Sequence, residues 1–345
     1  MTHLTYLEAA VVGLIQGVTE LFPVSSLGHN VLIPALIGGS WARDLNVAAT
    51  ESPYLAFIVG LHVATAIALL IYFWRDWVRI IKGFFSSLRR FARPAEGTTR
   101  WMLQSPDEQL AWLIILATIP VGLAGLAFEH VFRVIFGRPA YAAVFLIING
   151  LILLAGERFR RRASLEADEQ IAAEREYALA GACGGYARSY PGRARHAASR
   201  HDPRLEEVDN AVESDERLSR MGYGEAVIIG SAQVLALLAG ISRDGVTMVA
   251  GMARGLSRED AARFAFLLAT PVILAAGALK IPDLMGPLGN GIHGQVVVGS
   301  VLSGVGAYVS VKYLVRYFQT RTLTPFGIYC IIAGLASIAY LYFAK

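Results

Sequence analysis

Gln16-Gly17-Val18-Thr19-Glu20-Leu21-Phe22-Pro23-Val24-Ser25-Ser26-Leu27-Gly28-His29 places Gln, Thr, Glu, two Ser and a His between two apolar runs. Of the 345 residues, 55% are hydrophobic and 17% charged, whereas soluble domains have about 45–50% and about 25%. The excess falls in blocks of about 20 residues, the length that crosses a hydrocarbon core. The chain therefore reads as an all-α polytopic membrane protein. In such a chain the quoted stretch lies at membrane depth, where polar groups are costly and point to function. The net charge of +4 does not imply a nucleic-acid partner, because Lys and Arg gather beside the spans, as cytoplasmic loops do. Cys183 and Cys330 stand far apart in unlike surroundings, which argues against a disulfide framework or a Cys-based zinc site. The N-terminus lacks a basic n-region and its apolar run carries Glu8, Gln16 and Glu20, so it reads as retained rather than cleaved.

Residues 4–36 form two apolar pieces, each too short to span, broken at Pro23. That pattern suggests a re-entrant helix pair, tolerated at depth only where protein or a wet cavity covers the backbone. A single kinked span is the alternative. Spans follow at 53–74, 110–130 and 140–156, the last two joined tightly by Gly137-Arg138-Pro139. A basic loop after Trp74 carries Arg75, Arg79, Lys82, Arg89, Arg90, Arg93 and Arg100 against Asp76 and Glu96. Residues 157–221 read as a polar insertion, part helix, with a flexible stretch over 181–203. Its opening Arg160-Arg161-Arg162 suits either anionic lipid or solvent. A second broken pair occupies 223–253, interrupted at Gly240-Ile241-Ser242-Arg243, and spans follow at 261–279, 295–315 and 326–343. The organisation is a first membrane repeat (1–156), the insertion (157–221) and a second membrane repeat (222–345). With the basic loop inside, the insertion and the Lys312/Arg316/Arg321 loop also fall inside, and both termini fall outside, in agreement with the positive-inside bias.

Shifted by 217 places, the broken pairs align without a gap: Tyr6 over Tyr223, Glu8 over Glu225, Gly13 over Gly230, Gln16 over Gln233, Ser25 over Ser242, Gly28 over Gly245. The first pair enters from outside and the second from inside. This is an inverted-topology repeat, which sets two broken helices tip to tip near the bilayer midplane.

The first tip offers Glu20, Ser25, Ser26 and His29, with Gln16 one turn before Glu20 on the same face. The second offers Ser242, Arg243, Asp244 and Thr247, and Gly28 and Gly245 permit close backbone approach. Helix starts near Val24 and Ile241 would aim N–H groups at the same cavity. Helix starts, Arg and hydroxyls together bind phosphate, and adding a Ser or His nucleophile with a Glu or His acid/base gives phosphoryl transfer. Each residue has a plainer reading. His29 is then a satisfied interior histidine, Arg243 a structural partner of Glu20 or Asp244, and Gln16 a link between helices. Glu8 and Glu225 lie near the membrane surface and need no catalytic role, and His62, inside span 53–74, is structural.

At these residues the chain resembles the undecaprenyl-pyrophosphate phosphatase family of the bacitracin-resistance type. The family's [E/Q]-x-x-x-E, P-V-S-S-x-G-H and P-G-x-S-R-S-x-x-T signatures stand here as Gln16 to Glu20, Pro23 to His29 and Ala239 to Thr247. The resemblance covers nearly all of the chain outside 157–221. It implies hydrolysis of undecaprenyl diphosphate to the monophosphate and inorganic phosphate at the outer face of a bacterial plasma membrane, recycling the carrier for peptidoglycan synthesis and giving bacitracin resistance. By position Glu20, Ser26, His29 and Arg243 match the catalytic set, and Gln16, Ser25, Ser242 and Thr247 the supporting residues. A divalent cation, Mg²⁺ or Ca²⁺, is implied, with Glu20 as its ligand or as an orienting carboxylate. Ala239 replaces the motif Pro, Leu27 stands where Thr is frequent, Asp244 replaces the second Ser, and Gln16 stands for Glu.

The expected assignment makes Ser26 the nucleophile and His29 its base. Arg243, Ser242, Thr247 and helix-start N–H groups clamp the diphosphate, and a groove among the spans takes the prenyl tail. Direct activation of water by His29 or Glu20, or His29 as phosphoryl acceptor, stays open. The rival classes are a polyprenyl-phosphate flippase or transporter, which uses the same repeat, and an inactive sensor whose insertion binds a partner. A homo-oligomer is compatible with the sequence.

Overall fold

The computed structural model describes residues 4–45, 53–92, 105–136, 138–182, 203–286 and 289–343. The described regular structure is helical. In the first repeat α1 (Tyr6–Leu21), α2 (Ser26–Ile37) and the short α3 (Gly39–Asp44) lead to α4 (Pro53–Tyr72), α5 (Trp74–Ala92), α6 (Pro106–Phe136) and α7 (Pro139–Ala182). Then come α8 (Pro203–Ser219), α9 (Tyr223–Ala232) with a 3₁₀ turn at Gln233–Leu237, α10 (Arg243–Ala253), α11 (Arg258–Met285), α12 (His293–Thr320) and α13 (Thr324–Phe343). Five of these, α6, α7, α11, α12 and α13, are long and apolar enough to cross a membrane. With α4, half of a bent pair, they make six.

Helices α1 and α9 start alike. Thr5 caps α1, where Glu8 N–H donates to Thr5 Oγ1 at 3.2 Å and Thr5 N–H to Glu8 Oε2 at 2.8 Å. At the matching place Gly222 N–H donates to Glu225 Oε2 at 3.2 Å. Both glutamates satisfy helix starts, as acidic residues in a first turn do. One turn on, Gly13 presses α1 against the backbone of Gly299 in α12, and Gly230 presses α9 against the backbone of Ala117 in α6. Small residues that bring backbones together stand in for the hydrophobic drive that lipid removes. The same pairing of small residues joins α7 to α13, where Gly150 meets Gly327 and Gly334 meets Ala143.

Two expectations change. The basic segment after Trp74 is a helix, α5, bent by 85° from α4, and Arg93 and Arg100 lie outside the described residues. Its apolar residues fall on a helical period rather than in a loop pattern. Trp74, Val78, Ile81, Phe85 and Leu88 form an exposed stripe, while Ile80, Gly83 and Ser87 pack on α6. An apolar stripe flanked by Arg and Lys is the pattern of a helix lying in the membrane interface. The span expected at 140–156 runs on without a break into the insertion: α7 has 44 residues, about 66 Å at 1.5 Å per residue and twice the hydrocarbon core. The expected flexible stretch lies almost wholly outside the described residues, as does Cys183. The insertion's last helix, α8, is tied down by ion pairs: Arg263 Nε to Asp215 Oδ1 at 2.7 Å, Arg79 Nη2 to Asp215 Oδ2 at 2.6 Å and Arg217 Nη2 to Asp260 Oδ1 at 2.8 Å.

Candidate active site

Both tips break in the same way. The chain leaves α1 at Phe22, whose ring packs with Tyr313 and Phe326, and re-enters a helix at Ser26, two residues later than expected. The second tip leaves the 3₁₀ turn at Leu238 and re-enters at Arg243, also two residues late. The residue before each restart is a serine N-cap. Ser25 Oγ accepts from Gly28 N–H at 3.2 Å, and Ser242 Oγ from Gly245 N–H at 3.2 Å, the side-chain capping that starts helices in general.

The tips touch. Gly240 N–H donates to Ser25 Oγ at 3.2 Å. A Cβ on Gly28 would stand 2.9 Å from Gly240 Cα, and one on Gly245 would stand 3.3 Å from Pro23 Cβ. The close approach expected of these glycines is thus made to the opposite tip. Asn149, from α7, clamps both: its Nδ2 donates to Pro23 O at 3.0 Å and its Oδ1 accepts from Ser242 N–H at 2.9 Å.

Glu20 is the hub. Its Oε1 accepts from Arg243 Nη2 at 3.0 Å, so the two halves of the repeat meet in one ion pair. Its Oε2 accepts from Gln16 Nε2 at 2.8 Å and from Ser26 Oγ, and faces His62 Nε2 at 3.3 Å. Gln16 is itself held by Asn30 Nδ2 at 2.5 Å. Beside this hub lies a cavity of about 240 Å³ lined by Glu20, Ser26, His62, Gln233, Ser242 and Arg243 on its polar side and by Val59, Val121, Val272 and Ile273 on the other.

Three expected residues stand elsewhere. His29 is turned away from Ser26: Nδ1 meets Ser25 O at 2.7 Å, Nε2 meets the Tyr329 hydroxyl at 2.8 Å, and the ring stacks on Tyr329. The group that receives the Ser26 hydroxyl hydrogen is Glu20. Thr247 donates to Arg243 O at 2.7 Å, within its own helix. Asp244 is buried outside the cavity lining. One of its oxygens takes Arg243 Nε at 3.2 Å and the other, Oδ2, lacks a partner.

The residues present do not fit a resident divalent cation. Glu20 is the one carboxylate in the lining, and both its oxygens are engaged, one of them by a guanidinium. Among the described residues no group of three His, Cys, Asp or Glu side chains is placed to hold a metal.

Sequence reasoning missed His62, which it read as structural and which the fold brings to the cavity. It also passed over Asn149 and Gln233. The signal available for the first two was a lone polar residue inside an apolar span. Gln233 had a stronger one, its register with Gln16.

The family model described as bacitracin resistance protein BacA matches residues 9–200 and 201–336 of the chain. The undecaprenyl-diphosphatase of Mycolicibacterium paratuberculosis is 57% identical over 339 residues, covering 98% of both chains. Undecaprenyl-diphosphatase 2 of Frankia alni is 54% identical over 349 residues, covering 97% of both. Undecaprenyl-diphosphatase 2 of Chromobacterium violaceum is 37% identical over 339 residues, covering 97% of this chain and 98% of that one.

Proposed function

The chain belongs to the bacitracin resistance protein BacA family, and from that premise we infer that the cavity between the two tips is where undecaprenyl diphosphate is hydrolysed. The protein is a multi-pass membrane undecaprenyl-diphosphatase, releasing undecaprenyl phosphate and inorganic phosphate. That reaction returns the lipid carrier to peptidoglycan synthesis and underlies bacitracin resistance.

One observation carries the assignment of roles: Ser26 Oγ donates to Glu20 Oε2 while Arg243 holds Glu20 Oε1. Ser26 attacks the terminal phosphorus and its proton passes to Glu20. The bridging P–O bond breaks and undecaprenyl phosphate departs. Water then attacks the seryl phosphate, the P–O bond to Ser26 breaks, Glu20 returns its proton to Ser26 Oγ, and the proton the water sheds leaves with the inorganic phosphate. A guanidinium has five donors in a fixed fork, so Arg243 can hold Glu20 and still present N–H groups to the phosphoryl oxygens. Charge stabilisation of this kind is the largest single contribution in most phosphoryl-transfer sites. No step above runs through a divalent cation; one that served the reaction would be held mainly by the diphosphate oxygens, as Mg²⁺ commonly is, rather than by a protein cage.

The charge distribution across the loops supports an opening to the outer face of the plasma membrane. The apolar side of the cavity supports a lipid substrate. A second groove of about 590 Å³ lies between α5 and α6, where Gly122 and Pro271 follow and precede the cavity residues Val121 and Val272. This groove suits the prenyl tail. The flippase reading rests on the repeat alone, whereas a serine hydroxyl set on a carboxylate supports chemistry.

The test is phosphate release from a long-chain prenyl diphosphate by purified protein in detergent. Wild type releases phosphate, and Glu20→Gln, which keeps the shape but not the base, loses about 10²–10⁴-fold in kcat. A wild type that moves the lipid without releasing phosphate would sink the hydrolase reading.

A further inference from the structure

His62 belongs to none of the motifs, yet it reaches the hub from a third element. It projects from α4, a span locked to α12 by Thr65 Oγ1 and Ser303 Oγ at 3.2 Å and by Ser303 Oγ donating to Leu61 O at 3.2 Å. Its own orientation is fixed as well. Nδ1 lies 2.8 Å from Ile58 O, and a carbonyl only accepts, so Nδ1 carries the hydrogen. Nε2 is thereby aimed at Glu20 Oε2, 3.3 Å away. A bare Nε2 would set its lone pair against those of the carboxylate, so this contact holds a proton between the two atoms. An enclosed structural histidine would be sealed by its neighbours. Here 26% of the side-chain surface stays open, and the residue lines the cavity.

We propose that His62 is a positioning residue for diphosphate hydrolysis: its Nε2 holds Glu20 Oε2 as the acceptor of the Ser26 proton. The inference rests on the reading of Ser26 and Glu20 as the reacting pair. Glu20 sits at the end of α1, one residue before the helix breaks, where a carboxylate held from its own segment alone would swing with the tip. Gln16 and Ser26 both come from that tip region. Arg243 comes from the opposite tip and fixes the other oxygen. His62 is the contact to Oε2 that comes from a long span, so it sets that oxygen against the body of the bundle.

A glutamine places an amide Nε2 near the position of the imidazole Nε2 and donates from it, whereas alanine and leucine donate nothing. The experiment compares wild type, His62→Gln, His62→Ala and His62→Leu for phosphate release across substrate concentration, with thermal unfolding in detergent as the check on folding. The leucine variant fills the volume if alanine proves unstable. A misplaced reacting group costs about 10²-fold, so His62→Ala and His62→Leu lower kcat about 100-fold with KM little changed, and His62→Gln regains most of the loss. Wild-type kcat in the alanine or leucine variant overturns the assignment, as does a folded His62→Gln as impaired as the alanine variant, or a rise in KM at constant kcat. Absence of release by wild type overturns the proposed function and this inference together. Release by wild type with an unaffected His62→Ala overturns this inference alone.

Discussion

Ser25 holds φ at 69°, the one non-glycine residue with positive φ among those described. Such a backbone costs about 1–3 kcal/mol and persists only where the surroundings impose it. Here two N–H groups impose it, one from its own helix and one from the opposite tip. Ser25→Ala removes both bonds and keeps the strained backbone. It should lower stability by about 1–2 kcal/mol, read as a drop in the midpoint of thermal unfolding in detergent, and should impair activity through loosened tips. Ser25→Gly relieves the strain, so its loss should be the smaller of the two. At this scale the sequence was informative about type and less so about pairing. Gln16 beside Glu20 followed from helical spacing alone. The partner of Ser26 did not, because Ser26 stands between two carriers of lone pairs, Glu20 and His29, and only the turn at 22–25 decides which it faces. His62 lay beyond reach for the same reason: its partner is 42 positions away on another helix.

Among elements, the two glycines at matching places of the repeat make a direct comparison. A Cβ on Gly13 or Gly230 would enter the backbone of the facing helix, whereas one on Gly125 meets nothing within 4 Å. Gly13→Ala and Gly230→Ala should each cost about 1–3 kcal/mol, as overpacking does, with Gly125→Ala within about 0.5 kcal/mol of wild type. Unfolding midpoints of the three purified variants check this. The broken pairs and their register were legible because Pro23 and Gly240 interrupt apolar runs and polar residues recur at one shift. The helical state of α5 was hidden by its Arg content. Charge count suggested a loop, although the spacing of Trp74, Val78, Ile81, Phe85 and Leu88 held the helical period. The length of α7 was hidden by the reverse habit of ending a helix where its hydrophobicity ends. Residues such as Glu157, Arg161 and Ala163 are good helix formers, and the helix continues through them.

In the whole molecule, the two tips each supply part of one site, and on the proposed reading the prenyl tail lies in the groove between α5 and α6. Gly122 lines the groove beside α5 and has open space around it. Gly122→Leu should therefore fold normally and raise KM for undecaprenyl diphosphate several-fold while leaving a short prenyl diphosphate unaffected, measured by phosphate release on the two substrates. The claim that the halves form one catalytic unit is tested most directly by kcat for undecaprenyl diphosphate with wild type, Ser26→Ala, Arg243→Ala and the double variant. Residues that act as a unit lose activity non-additively. Each single variant should fall about 10²–10⁴-fold, and the double variant should be no worse than the lower of the two. Near wild-type turnover in either single variant, or losses that multiply in the double variant, would contradict a site shared between the two tips.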